Sequence, residues 1–550
     1  MADARVKELL RIGNKLFGDK EQIDSLWEEL ALNFYPERAD FTSTRYEGEE
    51  YADHLYSSAP ILARRELGNL VASSLRPRAK KWFSIHTNDS AFPVNSDEAQ
   101  FLEMMSEIQW RAVYEPKAQF TRATKQGDHD FVTFGNAVIW FGLNANADSL
   151  LFRNFHLRDC AWAEGYEGTV DQLHRKWKPT AWQLKEMFGS KVSATVAKSC
   201  DKEPHKKFEV RHIVVPGALY HYATSGGKEY DYVSIVIEVE TETILEEQGL
   251  NYFPYVVPRW QTMSGSAYGV SMATMVLLPD GRTVQSVVRT IRQAGEKYVE
   301  PPMIAIADAI RGDIASYPGG ITTADMEYDE RLGEVLRPIT QDRGGMPIGF
   351  DIAASLKEDI EKGFFLDKIQ LPAFDTKEMT AFEVQTRISE HIRSSAPIFE
   401  PIEQEYSAPL MDGVFNLLMD HGAFPLDRMP ESLSDKEIKF SFNSPLSEMA
   451  DQGDTEKYLA VVNNILAPLA ELAPEQLENA DMTTATRDAM KAAGWKAKWF
   501  NPEEKVAEAA EMMAQKRQQA EELMQAQMLG AAAEQGGKGM QEVKKAGAET

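Results

Sequence analysis

Cysteine is nearly missing from this chain: Cys160 and Cys200 are the only two in 550 residues. A disulfide framework and a cysteine-built zinc site are therefore not expected. Long apolar runs are missing as well. Met272–Leu278 is among the longest, far short of the roughly 18 residues a membrane span needs. The opening Met-Ala-Asp-Ala-Arg-Val-Lys-Glu lacks the basic-then-apolar order of a secretory signal, so a soluble protein made in a cytoplasm is expected. Positive charge is scarce: 59 Lys+Arg stand against 85 Asp+Glu, a net of −26. That balance excludes tight, sequence-independent wrapping of nucleic acid, which needs Lys and Arg to displace counterions. It leaves room for a protein that DNA passes without sticking.

Enzyme motifs are mostly lacking too. There is no G-x-x-x-x-G-K-[ST] loop, no H-E-x-x-H, and no G-x-G-x-x-G between a strand and a helix. The nearest approach to a nucleophile elbow is Gly269-Val270-Ser271-Met272-Ala273. It has Ala where the second Gly belongs, and its flanks do not read strand–turn–helix. Asp128-His129-Asp130 gathers potential metal ligands, but successive helical positions diverge, and the triplet reads as a solvated helix end. Glu390-His391 beside Arg387 and Arg393 reads as an ion-pair network. No catalytic residue, metal site or cofactor is expected, and any ATP hydrolysis would have to come from a partner.

What is present is a globular balance of 43% hydrophobic and 26% charged residues, with length for about three to five structural units. The chain reads as α+β, mainly helical. Ile23, Leu26, Trp27, Leu30 and Phe34 recur at helical spacing behind an Asp19/Gln22 capping box. A second helix is expected from Ser58 as N-cap, with Pro60 in its first turn, to Pro77. Residues 96–127 read as helical, with Phe101, Leu102, Met105 and Ile108 on one face. From Phe131 strand formers take over, notably Phe134–Phe141, Phe208–Val215 and Tyr232–Val239, interrupted by a short helix from Thr180 to Phe188 closed by Gly189.

A helix–insert–helix unit follows. After Pro279-Asp280-Gly281, Val284, Val287, Val288, Ile291 and Ala294 lie on one helical face. Prolines and glycines between 297 and 347 favour turns and short strands. A second helix is expected from Asp351 to Phe365, with Ile352, Leu356 and Ile360 on one side and Glu358, Asp359, Glu361 and Lys362 on the other. A segment from Leu366 to Asp375 leads to a long helical region, 376–421, which Pro397, Pro401 and Pro409 must kink or break. Thr380 with Glu383 forms a capping box there, and Glu383 with Arg387 an i,i+4 ion pair. A strand is expected at Ile438–Phe442. Asn501-Pro502-Glu503-Glu504 starts a last helix that runs to Leu529, ahead of a disordered Gly-rich tail.

Six strings, in order, resemble the head-to-tail connector, or portal, proteins of short-tailed bacteriophages. Trp82-Phe83 is similar to the family's W-F element, and Phe134-Gly135-Asn136-Ala137 to its F-G-T-A/S turn. Gly168-Thr169-Val170-Asp171 with Arg175, then Thr180, Gln183-Leu184 and Phe188-Gly189, resembles its strand-plus-helix block. Pro258-Arg259-Trp260 and Tyr268-Gly269-Val270-Ser271, with Leu278-Pro279-Asp280, resemble the approach to a first stem helix. Met379-Thr380-Ala381-Phe382-Glu383-Val384 with Arg387 and Glu390 is similar to the signature M-T-A-T-E-V-x-x-R-x-x-E. Phe382 departs from the usual Thr.

The resemblance implies a ring of twelve subunits around a central channel, built from wing, stem, clip and crown. Residues 1–279 would be the wing, 280–295 the first stem helix, 296–350 the clip and 351–365 the second stem helix. The channel loop would be 366–376, a long kinked wing helix 377–424, the crown 425–500, and the C-terminal helix and tail 501–550. That last helix either bundles with neighbours or extends freely. The implied setting is a capsid vertex of the virion, assembled in the host cytoplasm without a membrane. Implied partners are double-stranded DNA in transit, the terminase packaging motor, scaffold and major capsid protein, and a tail adaptor. Residues 280–365 hold 15 Asp+Glu and 10 Lys+Arg, so a ring of twelve would place about −60 around stem and clip. Such a bore lets DNA slide where a basic one would bind and stall it. Glu358, Asp359, Glu361, Lys362, Lys368, Gln370 and Lys377 are the expected channel lining, with Lys368 or Lys377 near the loop to touch phosphate. A tail or baseplate component is the alternative within virion structure, and a hydrolase using Ser271 the alternative outside it.

Overall fold

The computed structural model describes residues 4–46, 48–78, 81–87, 96–220, 230–305, 336–338, 345–369, 402–433, 438–442, 458–468 and 482–492, with scattered positions from 495 to 520. The chain divides into two units. Met1–Trp82 and Gln109–Gly422, with Ser444–Leu446, make the first; Phe83–Ile108, Ala423–Asn443 and Ser447–Thr550 make the second. The architecture is α+β and mainly helical.

The chain opens with α1 (Ala4–Asp19), α2 (Glu21–Phe34) and α3 (Ala59–Leu75), then β1 (Phe83–Thr87), α4 (Ser96–Val113) and α5 (Phe120–Phe134). A strand-rich body follows: β2 (Ile139–Leu143), β3 (Leu150–Asn154), β4 (Cys160–Glu164) and β5 (Val170–Trp177). Next come α6 (Ala181–Phe188), α7 (Ala194–Lys202), β6 (Val210–Pro216), the single turn α8 (Gly217–Tyr220), β7 (Tyr232–Glu238) and β8 (Thr243–Leu250). Then β9 (Tyr255–Val256), β10 (Gln261–Met263) and β11 (Ser266–Val270) lead into α9 (Leu278–Val299). The insert contributes an antiparallel ribbon of β12 (Met303–Ala305) and β13 (Leu336–Pro338) before α10 (Gly345–Gly363) and α11 (Leu366–Ile369).

Strands β4 to β8 form a five-stranded antiparallel sheet in sequence order. The period-2 pattern of β6 and β7 decides which helix covers which face. Ile213, Val215, Val233, Ile235 and Ile237 pack under Val6, Leu9 and Leu10 of α1. Val210 and Val236, at positions of the opposite parity, pack with Leu245 against Ala181 and Leu184 of α6 and Val196 of α7. Thr180 and Gln183 close a reciprocal capping box on α6, and Gly189 ends it.

Several helix ends differ from their sequence expectation, each for a local reason. The Asp19/Gln22 box does not form. The helix begins at Glu21 because Lys20, wholly buried, gives its ammonium to the carbonyls of Leu157 at 2.6 Å and Cys160 at 2.8 Å and pairs with Asp24 at 3.1 Å. Ser58 holds the N-cap position of α3, but its backbone is helical and its hydroxyl makes no cap bond. Phe131–Phe134 belongs to α5 rather than to a strand; Gly135, at φ 74°, ends that helix. Pro347 lies in the first turn of α10, where a missing N–H costs no helical bond. The second hairpin helix therefore starts at Gly345, not Asp351, and Leu366–Ile369 is a helical turn rather than loop.

Three π-helical turns share one cause. Ala273–Leu277, Glu403–Ser407 and Val462–Leu466 each end two residues before a proline: Pro279, Pro409 and Pro468. A proline ring crowds the carbonyl four residues back, and a widened turn relieves that contact without ending the helix. The kink expected at Pro409 takes this form, ahead of the helix Ala408–Asp420. In the second unit β1 pairs with β14 (Ile438–Phe442), placing Phe83 opposite Phe442 and Ile85 opposite Phe440.

Candidate functional site

The α9–α10 hairpin is held by one narrow seam. On α10 the covered positions are Met346, Gly349, Ala353, Leu356, Ile360 and Gly363, alternating three and four residues apart. Leu277, Val284, Val288 and Ile291 fall at matching steps of seven, four and three along α9 and the turn before it. This is heptad spacing, and it keeps a stripe facing one partner. A ladder of fours such as Ile352–Leu356–Ile360 drifts about 40° per step, so Ile352 falls outside the seam and is 46% exposed while Ala353 is buried. A methyl on Gly349 would sit 3.2 Å from Ile291 Cγ1, and one on Gly363 would run into Leu277. Those two crossings set the antiparallel register. At its base the hairpin is anchored by Phe364, fully buried, edge-on to Phe34 at 5.7 Å.

The charged residues of α10 do not share one face. Glu358, Asp359, Glu361 and Lys362 are all exposed. Glu358 and Glu361, three apart, lie on neighbouring flanks, whereas Asp359 falls about 100° round from Glu358, on the side of Ile348 and Ile352. Lys362 pairs with Glu358 at 2.7 Å and holds its carboxyl below the usual range. The backbone of Lys368 lies within α11, one residue before its end. Gln370, Lys377, Met379, Thr380, Glu383, Arg387 and Glu390 lie outside the described residues.

Four of the strings singled out in the sequence meet around one residue. The Arg259 side chain, 2% exposed, donates to both carboxylate oxygens of Glu405 at 3.0 and 2.8 Å, to Glu164, and to the Gly168 carbonyl at 2.9 Å. The two carboxylates keep its charge against the cost of burial. The Trp260 N–H donates to the Gly135 carbonyl at 2.8 Å. Asn136 ties Gly269 from both sides, accepting its N–H at 2.8 Å and donating to its carbonyl at 2.8 Å. A side chain on Gly135 would strike the Val270 backbone at 2.5 Å. Short residues occur in these strings because backbones cross here at contact distance.

Ser271 is not placed for attack. It is wholly buried, its hydroxyl donates to the Thr133 carbonyl at 2.7 Å, and it accepts the Thr274 N–H at 3.2 Å. It caps the π turn. Nor is Asp128-His129-Asp130 a solvated helix end. Asp128 is fully buried against Arg76, whose guanidinium lies 4.5 Å over the Tyr406 ring. Asp130, 1% exposed, takes a bidentate pair from Arg38 at 3.0 and 2.6 Å and a bond from Asn154 at 2.7 Å. Burial and the neighbouring Arg64 press the His129 imidazole down to about 4. No group of three or more His, Cys, Asp or Glu among the described residues is placed to hold a metal ion. No helix among them is long and apolar enough to cross a membrane.

The sequence profile of the bacteriophage head to tail connecting proteins matches residues 6–500. The chain belongs to this family. The portal protein of Salmonella phage epsilon15 is 22% identical over 551 residues, 98% of this chain and 96% of that protein. The probable portal protein of Bordetella phage BPP-1 is 24% identical over 493 residues, 86% of this chain and 85% of its own length. The crossing at Arg259 thus has its explanation in a structural connector: strings that resemble the family are those that lock strand body, α5 and the π turn together. Sequence reading missed the buried ion pairs behind them. The one available signal was Arg259 itself, a charge standing in the otherwise uncharged run Tyr255-Val256-Val257-Pro258-Arg259-Trp260.

Proposed function

We propose that this connector assembles as a ring at one capsid vertex, through which double-stranded DNA is packaged and later ejected, with the α9–α10 hairpin as its stem. One observation carries the reading. Away from its anchored base the hairpin leaves large apolar side chains uncovered: Val299 is 79%, Ile348 61%, Phe350 56% and Ile352 46% exposed. A thin pair of helices with a single seam is marginal alone. Flanked by copies of itself, its open apolar flank is covered. A closed ring with cyclic symmetry gives every copy such neighbours, and the portal names of the relatives support closure. Twelve copies is what the family resemblance implies.

In that ring α10 carries the surface that meets DNA. Asp359 shares its flank with Ile348 and Ile352, which suits a protein neighbour. Glu361 shares its flank with Lys357, both exposed, and is the residue we place toward the channel. The stem-and-clip excess of acid repels the phosphate backbone and lets it slide. Lys368, Gln370 and Lys377, just beyond the hairpin, supply the brief phosphate contacts. The wing, clip and crown bounds, docking of the packaging motor and then the tail adaptor at the clip, and contact with scaffold and capsid protein belong to the same proposal.

Glu361→Lys tests the channel assignment. Each added cation toward the bore raises counterion release on DNA contact, so nuclease-protected DNA per particle should fall. The deficit should be larger at about 50 mM salt than at about 200 mM. Wild-type packaging at both salt concentrations, in particles shown to contain the variant, would refute it.

A further inference from the structure

The two stem helices carry opposite charge. α9 holds Arg282, Arg289, Arg292 and Lys297 against Asp280 and Glu296; α10 holds Asp351, Glu358, Asp359 and Glu361 against Lys357 and Lys362. The excess on each is carried in part by a heptad pair, Arg282 and Arg289 on α9, Asp351 and Glu358 on α10, all four exposed. A spacing of seven returns to nearly the same side of a helix, so each pair forms a stripe turned away from the seam.

The antiparallel register makes the stripes match in height. Gly349 crosses Ile291 and Gly363 crosses Leu277, so α10 climbs as α9 descends. Asp351 lies two residues past the first crossing and Arg289 two residues before it, which sets them level. By the same register Glu358 is level with Arg282. Within one chain they cannot meet, because the seam lies between them. Asp351 and Arg289 have no ion partner within the chain among the described residues; Arg289 rests over the Tyr56 ring at 5.5 Å. Arg282 pairs with Glu29, and Glu358 with Lys362, and both side chains stay more than half exposed.

We infer that α10 of one copy docks on α9 of the next, with Asp351 opposite the neighbour's Arg289 and Glu358 opposite its Arg282, as a two-rung ionic ladder between subunits. The occupant is a second copy of this chain, because rotation about a ring axis parallel to the hairpin keeps heights equal and so aligns both rungs at once. The apolar flank of Ile348 and Ile352 closes beside the ladder. The inference rests on the ring reading, and it removes Glu358 from the channel surface.

The test is a charge swap in the full chain, read by native mass spectrometry across a salt series. Asp351→Arg with Glu358→Arg makes both stem faces basic, and Arg282→Glu with Arg289→Glu makes both acidic. Each double variant alone should lose the ring species by at least roughly tenfold at physiological salt, by replacing attraction with repulsion at every interface. An equal mixture of the two should restore rings of alternating composition, since each acidic stripe then finds a basic one. The fourfold swap within one chain should do the same. Restoration also shows that both variants fold. Rings that survive either double reversal, or a mixture that fails to restore them, would overturn the ladder while wild-type rings still upheld the ring. A wild type that forms no ring would overturn the ring reading itself, and the ladder with it.

Discussion

Replacing Arg76 with Met probes the most deeply buried ion pair in the first unit. The Arg76 and Asp128 side chains are 3% and 0% exposed. Asp128 and Tyr406 together hold the guanidinium in its charged form although burial opposes it. Arg76→Met keeps most of the volume but leaves the carboxylate unpaired, which costs about 3–5 kcal/mol. For a unit of about 400 residues the unfolding entropy makes each kcal/mol worth roughly 1 °C of melting midpoint, so calorimetry should place the larger unit's transition roughly 3–6 °C lower. Adding Asp128→Asn should recover most of that loss, because removing both charges leaves no orphan. The pH dependence follows in sign. Burial already lifts the Asp128 carboxyl above its ordinary value, and losing Arg76 lifts it further. A group whose folded-state pKa is raised above the unfolded one gains stability as pH falls through the folded value. The Arg76→Met deficit should therefore shrink on acidification from neutral pH. A variant melting within about 1 °C of wild type, or no recovery on adding Asp128→Asn, would refute the reasoning.

Two further outcomes are expected. His174 and His212 are buried as neutral rings, pressed by burial to about 3; the unfolded chain takes up protons below about 6.5, so stability is lost as pH falls from there toward the folded value, by about 2 kcal/mol per histidine at pH 5. His212→Asn should flatten the melting-midpoint curve between pH 7 and pH 5, and an unchanged slope would contradict the assignment. Gly135→Ala forces a left-handed φ of 74° on alanine and drives its methyl into the Val270 backbone; the cost should be about 2–4 kcal/mol, read as a lower urea midpoint, and a near-neutral substitution would mean that this crossing is looser than drawn.

What the sequence disclosed, and what it hid, follows from how each feature is written in the chain. Strands of the five-stranded sheet were legible because Phe208–Val215 and Tyr232–Val239 are rich in β-branched and aromatic residues, which favour extended backbone; the number of strands and the order in which they pair were not. The hairpin was legible as two helices around an insert, yet its seam was not. Ile352, Leu356 and Ile360 read as a face, but two helices in contact follow a period of 3.5, and Gly349 and Gly363, which let them touch, carry no apolar signal. Helix starts slipped where proline was taken as a boundary, although a first turn accommodates it. The buried charges were least visible. Asp128 and Asp130 look like any polar helix end until Arg76 and Arg38, distant in sequence, are brought to them. Of the expected channel residues, Glu358, Asp359, Glu361 and Lys362 lie on one helix as foreseen but on different flanks, a distinction only the seam's direction makes.

The central claim, a ring built on the α9–α10 stem, is tested most directly by native mass spectrometry with negative-stain imaging of the purified full-length chain. The expected particle is annular, with a central hole and a mass near twelve times 61.8 kDa. A compact dimer without a hole would contradict it.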